Sequence, residues 1–428
     1  MKYQIDDKES YSFASITQNK SPIVTAYLTV DIHKERTVIE QAVQQMYSDA
    51  LLSGAGKYTR DEFLSAVNLL GAGLSISISD SVLTIKLMST LAEFSKLLKL
   101  TELMLAQPSF PKAQLNRIKS TTVNQLQESK EDSKTIAMQK LRNNIYGQND
   151  RKYSSETDVV ISTIESVTVG HFKSLHKTVL AQPWTCSITG ESDAVKAFEQ
   201  VVARLKKIKG GSVPFVGVHQ QKPPRHTVEI KNIPSRHNID FVIGAPLPIT
   251  LHHPDLIPLS FAIAVLGKWG GFTGRLMSTV RELEGLTYGI YGRPEGFSGT
   301  EQGYWQITTF FAPEKALQGL TSTFREITKL YKSGITEEEL VKFKTILLTQ
   351  QTLLNDSASS LLSNLHTYHC QKFTLEEMIT HKARISTVTL DEVNETIKTY
   401  LDPATLTISA AGPVGTVKKD IQNFINSV

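Results

Sequence analysis

Trp269-Gly270-Gly271-Phe272-Thr273-Gly274-Arg275-Leu276-Met277-Ser278-Thr279-Val280-Arg281-Glu282-Leu283-Glu284-Gly285-Leu286-Thr287-Tyr288-Gly289-Ile290-Tyr291-Gly292 reads as a turn, a helix, a break and the start of a strand. Gly270, Gly271 and Gly274 let the backbone turn tightly; a helix carrying Arg281 follows, and beyond the break at Gly285 an extended segment carries Tyr288. A guanidinium and a phenol are thereby held seven positions apart, where both can face one extended ligand. Taken singly, Arg281 reads as a helix arginine paired with a surface glutamate, and Tyr288 as an ordinary strand aromatic. Inside the glycine-bounded frame the two read together, as groups that handle a peptide backbone.

Working outward, the chain uses one plan twice. Val167 to Gly190 reads as a helix that ends near a proline and then a strand ending in glycine, and Val388 to Gly412 repeats it. Phe110 to Lys119 and Ile335 to Lys344 match as helix starts, and the offsets across the matched pairs are 225, 221 and 222 residues. So constant an offset implies a duplicated α+β unit, each copy a mostly antiparallel β-sheet with helices packed on one face. Gly210-Gly211, Pro214 and Pro223-Pro224 give residues 206–226 linker composition. The expected domains are therefore 1–205 and 227–428.

A length of 428 residues suits two domains with a core each, and 40% hydrophobic with 21% charged residues is ordinary globular composition. The net charge of +4 is mild. Lys206, Lys207 and Lys209 form the one tight basic cluster and read as a solvated helix end, so nucleic acid is not an expected partner. Cys186 and Cys370 cannot build a disulfide framework, which favours a reducing compartment. The start, Met1 to Lys8, has no apolar signal region, and no run approaches the ~18 apolar residues of a membrane span. A cytoplasmic chain is the expectation.

In the first half, Ile23 to Val30 predicts a strand, and Lys34 to Leu52 a helix with Ile39, Val43, Met46 and Ala50 on its apolar side. That helix places Gln45, Ser48 and Asp49 at i, i+3 and i+4, on one polar face. Residues 72–88 alternate as a hairpin turning at Ser79-Asp80-Ser81, and helical patterns follow over Leu91–Leu105 and Lys112–Tyr146, the latter broken near Glu131-Asp132. In the second half, Asn238–Ala245 and Gly303–Phe311 read as strands, Leu256–Leu266 as a buried helix, and Pro313 opens a helix that Gly334 ends. Thr336 is the expected N-cap of the next helix. His366, His369 and Cys370 share one helix face but bring no carboxylate, and no metal is expected there.

The 269–292 stretch resembles the second-domain signature of the pitrilysin and mitochondrial processing peptidase family, the inverted-zinc-motif metallopeptidases, in which an Arg and a Tyr at this spacing grip substrate beside the zinc. The first half resembles that family more loosely. There the family's first helix carries His-x-x-Glu-His ahead of a Leu-Phe-x-Gly-Thr-like exit; here the exit reads Leu51-Leu52-Ser53-Gly54-Ala55. Anchoring on Gly54 puts Gln45, Ser48 and Asp49 where His, Glu and His stand. The family's last ligand is a Glu a few residues before an acidic break, and counting back from Asp132 and Ser133 puts Asn124 or Gln125 at that position.

Zinc binds imidazole, thiolate or carboxylate, and an amide is a poor substitute. The resemblance therefore implies a non-catalytic subunit with no metal of its own. It further implies a heterodimer with a homologous, zinc-motif-bearing subunit, the two enclosing a chamber like a clamshell, and a peptide or unfolded protein as substrate. Arg281 and Tyr288 would bind that peptide in the partner's active site. In family members with an active site, the edge strand matching the 72–88 hairpin accepts substrate as an added strand; a plain sheet hairpin is the alternative for this chain. Two other readings compete for the whole protein: a structural scaffold with no proteolytic role, comparable to peptidase-like core subunits of respiratory complexes, and a homodimeric peptide-binding module.

Overall fold

Val24, Ala26, Leu28 and Val30 alternate with Thr25, Tyr27 and Thr29, the period-two pattern of a strand with two different faces. The structure, a computed structural model, describes residues 2–19, 21–32, 37–208, 221–267, 273–353 and 356–427. The glycine turn at Gly270-Gly271, the linker residues Gly210-Gly211 and Pro214, Lys209, and the expected helix start at Lys34 lie outside the described residues.

Strands β1 (Lys2–Asp7), β2 (Tyr11–Thr17), β3 (Ile23–Asp31), β4 (Gly54–Ala55), β5 (Tyr58–Thr59), β6 (Gly73–Ser79), β7 (Val82–Thr90) and β8 (Trp184–Gly190) come from the first half. Six of them form one sheet in the order β1-β2-β8-β3-β7-β6, and β4 with β5 make a separate ribbon. Strands β9 (Thr227–Asn232), β10 (Ile239–Pro246), β11 (Ile290–Glu295), β12 (Tyr304–Phe311) and β13 (Thr407–Gly412) form the second sheet, ordered β11-β12-β10-β13-β9. Each sheet contains a single parallel pair, β2 with β8 and β13 with β9. The expected α+β fold with mostly antiparallel sheets is the fold observed, but helices pack on both faces of each sheet rather than on one as expected, because each sheet carries apolar residues on both faces.

Packing divides the described residues into two compact units, and neither is a contiguous half. One draws on 1–126, 155–218 and 352–378, the other on 127–154, 219–351 and 379–428. The duplication explains the pattern. Helices Lys112–Ser129 and Glu337–Leu353 start 225 residues apart, and so do helices Ser133–Ile145 and Ala358–Cys370. Of the second pair, the 133–145 helix belongs to the second unit and the 358–370 helix to the first, so each repeat contributes one helix to the other unit.

Each sheet has an apolar patch on its second face that such a helix covers. In the first unit Ala14 and Ile16 pack with Leu362 and Leu365. In the second, Val242, Tyr304 and Ala411 pack with Ala137, Leu141 and Ile145. The larger cores lie on the opposite faces, around Phe13, Leu28 and Leu87 in the first unit and around Phe241, Ile243 and Trp305 in the second.

The β6–β7 hairpin turns through Asp80 and Ser81, whose φ angles of 46° and 62° suit the mirror-image turns that match strand twist. Strand β6 ends the sheet, with Ser75, Ser77 and Ser79 exposed and Leu74, Ile76 and Ile78 half-buried. Lys206 corrects the reading of a solvated basic cluster. Its ammonium lies 4.9 Å from the Trp184 ring centre and donates to the Leu180 and Gln182 carbonyls at 2.6 and 2.7 Å, closing the C-terminus of helix Val169–Ala181. Burial lowers its pKa to about 8.

Candidate functional site

The Arg281 and Tyr288 side chains are positioned by glycines and by a widened helical turn. Helix Leu256–Gly267 is buried almost throughout. Gly274, at φ +112°, comes back against its end: a Cβ there would lie 2.9 Å from Gly267 Cα and 3.1 Å from Gly267 N. Arg275 then pairs bidentately with Glu339, Nε–Oε1 and Nη2–Oε2 both 2.7 Å, and also donates to the Gly334 carbonyl at 2.9 Å. Burial would raise the Glu339 pKa, but hydrogen bonds from Arg275 and from the Thr336 N–H hold it below its ordinary value.

Residues Met277–Leu283 form a π-helix, with Met277 and Val280 buried. It ends on Gly285 at φ +60°, with Gly285 N–H bonded to the Arg281 carbonyl and Leu286 N–H to the Val280 carbonyl, each at 3.0 Å. Thr309 Oγ1 donates to the Thr287 hydroxyl at 3.3 Å and to the Gly289 carbonyl at 3.1 Å, which ties the next residues to β12. Tyr288, between those tied positions, is left 77% exposed. Arg281 is half-buried, and its guanidinium carbon lies 5.2 Å from the centre of the Tyr288 ring. The two residues singled out from the sequence therefore meet, the guanidinium over the ring.

Two substitutions separate the glycine roles. A Cβ at Gly285 meets no atom within 4 Å, so Gly285→Ala is expected to cost only the left-handed backbone penalty, about 1 kcal/mol. Gly274→Ala adds contacts with the Gly267 backbone that nothing flexible can relieve, and is expected to cost at least about 2 kcal/mol more. Urea unfolding of both variants, compared at the transition of the second unit, checks the order.

On helix Val38–Leu51, Gln45 is exposed and Ser48 and Asp49 are half-buried, while Met46, Tyr47 and Ala50 face the core. Asn124 and Gln125 are both exposed on helix Lys112–Ser129. An amide, a hydroxyl and a single carboxylate on one helix, with an amide on the other, do not fit a zinc ion. Among the described residues no group of three or more His, Cys, Asp or Glu side chains could hold a metal.

His366 and His369 are core groups with hydroxyl partners. The imidazole of His366 stacks on Tyr27 at 4.7 Å and bonds Thr29 Oγ1 at 2.8 Å through Nε2 and Ser187 Oγ at 2.9 Å through Nδ1. His369 Nε2 bonds Ser12 Oγ, which also bonds the Asp7 carboxylate. Burial, with the nearby His369, pushes the His366 pKa down to about 3; burial, with Lys372 and against the pull of Asp7, pushes His369 down to about 4. Sequence reading missed this layer, and it missed the Arg275–Glu339 pair, because the partners lie far apart in the chain and no local pattern marks them.

The chain thus has two α+β units, the Arg281–Tyr288 contact in the second and, in the first, a polar helix face unsuited to zinc. Residues 166–347 match the model of the peptidase M16 inactive-domain family. The non-peptidase homolog YmxG of Helicobacter pylori is 32% identical over 180 residues, 41% of this chain. That match spans 39% of the relative's own length.

Among solved structures, the peptidase M16 inactive domain from Pseudomonas fluorescens superposes with a TM-score of 0.84 at 21% identity, over 96% of this chain and 98% of that one. A protease from Helicobacter pylori gives 0.80 at 14% identity, over 96% and 99%. At these identities the likeness establishes a shared fold. No helix among the described residues is long and apolar enough to cross a membrane.

Proposed function

We propose that this chain is the non-catalytic subunit of a two-subunit zinc metallopeptidase. In this reading a homologous partner chain carries His-x-x-Glu-His and the zinc, the two chains enclose a chamber, and Arg281 and Tyr288 reach the peptide bound in the partner's site. The observation that carries the proposal is the contact of half-buried Arg281 with exposed Tyr288, held in place by Gly285 and Thr309. Exposing a large aromatic under a guanidinium does nothing for a scaffold, whereas a peptide backbone offers partners to both groups. Arg281 would donate to a substrate carbonyl. The Tyr288 phenol would donate to the scissile carbonyl as it gains negative charge. Edge strand β6, with its outer side unpaired among the described residues, suits the addition of an extended peptide.

Co-expression with the zinc-motif homologue encoded in the same genome tests the reading. The expected result is a stable complex that hydrolyses unstructured peptides while neither chain does so alone. Two chains that do not associate, or a partner as active alone as in the mixture, would sink it and leave a scaffold or binding module.

A further inference from the structure

Tyr288 stands at a bend between the Gly285 turn and the start of β11, so the direction of its exposed ring is set by how the flanking residues are held. On the helix side, Lys315 Nζ donates to the Gly285 carbonyl at 3.2 Å and Arg325 pairs with Glu284. Both cations are exposed, where such contacts contribute little and salt screens them.

On the strand side the contacts are buried. Thr309, only 5% exposed on β12, lies opposite Ile290, the first residue of β11. Its hydroxyl reaches back past that pair to the Gly289 carbonyl at 3.1 Å and the Thr287 hydroxyl at 3.3 Å. Thr287 itself spans the bend: its Oγ1 accepts from the Gly289 N–H at 3.3 Å and donates to the Gly289 carbonyl at 3.2 Å. The Tyr291 ring closes the other side, its Cε2 lying 2.8 Å from where a Cβ on Gly289 would stand. Hydrogen-bond satisfaction alone does not account for Thr309. The Gly289 carbonyl already accepts from Thr287, and a valine has nearly the shape of a threonine, so the Thr309 hydroxyl adds direction rather than a missing partner.

We propose that Thr309 is a positioning residue: from the sheet interior, and without touching substrate, its hydroxyl fixes the bend that holds the Tyr288 phenol beside Arg281. Its effect on turnover rests on the substrate-binding reading of Tyr288; its effect on the ring does not.

The test compares Thr309→Val, which removes the hydroxyl, with Thr309→Ser, which keeps it. In NMR spectra of the full chain alone, with tyrosine labelled by carbon-13 at Cζ, the Tyr288 signal is the one that Tyr288→Phe removes. Thr309→Val should shift that signal toward the position it takes in Arg281→Ala, and Thr309→Ser should leave it in place. In the assembled pair, hydrolysing an unstructured quenched peptide, Thr309→Val should lower kcat about tenfold with KM within a factor of about three, and Thr309→Ser should keep kcat within a factor of about two of the parent. A Tyr288 signal unmoved by Thr309→Val, or moved as far by Thr309→Ser, would overturn the proposal. So would parental kcat in Thr309→Val alongside a depressed kcat in Tyr288→Phe. Parental kcat in Tyr288→Phe itself would instead remove the substrate-binding reading, and the Tyr288 signal alone would then decide whether Thr309 fixes the ring.

Discussion

Tyr288→Phe in the assembled pair is expected to lower kcat about 10²-fold while leaving KM within a factor of about three. The phenol is asked to act on charge that exists only in the transition state, so removing one hydroxyl takes away transition-state binding and little else. Arg281→Ala is expected to act differently. A guanidinium that holds a ground-state carbonyl contributes to substrate and transition state alike, so KM should rise about tenfold or more, with a smaller loss in kcat. Neither change should disturb folding, because Tyr288 is 77% exposed and the π-helix is anchored by Met277 and Val280 on its other side. Steady-state hydrolysis of a quenched peptide, with complex formation checked by gel filtration, separates the two effects. Unaltered kcat/KM in both variants would remove these residues from substrate binding, whatever the partner does.

The first unit should lose stability on mild acidification, by about 4 kcal/mol between pH 7 and pH 5. His366 and His369 are held neutral, with pKa values of about 3 and about 4. Both are depressed, so the unfolded chain takes up protons first as pH falls. The stability they contribute is complete above the unfolded value of about 6.5 and drains away as pH drops toward the folded values, about 2 kcal/mol per histidine by pH 5. The reason is structural: hydroxyls of Thr29, Ser187 and Ser12 satisfy the neutral rings, while burial penalises the charged ones. Hydrogen exchange in residues 358–370 should accelerate over the same pH range, and His366→Gln/His369→Gln should flatten the dependence. His176, also buried and lowered, bonds Tyr47 and the Leu105 carbonyl and adds a smaller effect of the same sign. A pH-independent midpoint of the first unit's transition between pH 7 and pH 5 would refute the account.

Much of the candidate site was legible in the sequence because its features are local. The Gly285 break, the helix before it and the extended residues after it span a few positions each, and backbone preferences act at that range. A helix around Arg281 was readable; its widening into a π-helix was not, since that follows from how Met277 and Val280 seat against the core. The polar face at Gln45, Ser48 and Asp49 needed only the helical period. The contact between Arg281 and Tyr288 needed more, because it depends on where β11 leaves the turn.

By itself the sequence determined the elements and their repetition. Alternation made the strands, Asp80-Ser81 made the hairpin turn, Asp132 capped the helix after the acidic break, Gly334 ended another, and the near-constant offset of 225, 221 and 222 residues revealed the duplication. These are short-range effects of side-chain period and backbone freedom. Only the tertiary structure decided which helix covers which sheet. Helices 133–145 and 358–370 carry the same periodicity as their neighbours, and nothing along the chain says that each belongs to the unit built mainly from the other repeat. The same holds for Thr29 with His366, 337 residues apart, and for Arg275 with Glu339, 64 apart. Such pairs form because two buried polar groups must find partners once apolar packing has brought their elements together, and that requirement acts in space rather than along the chain.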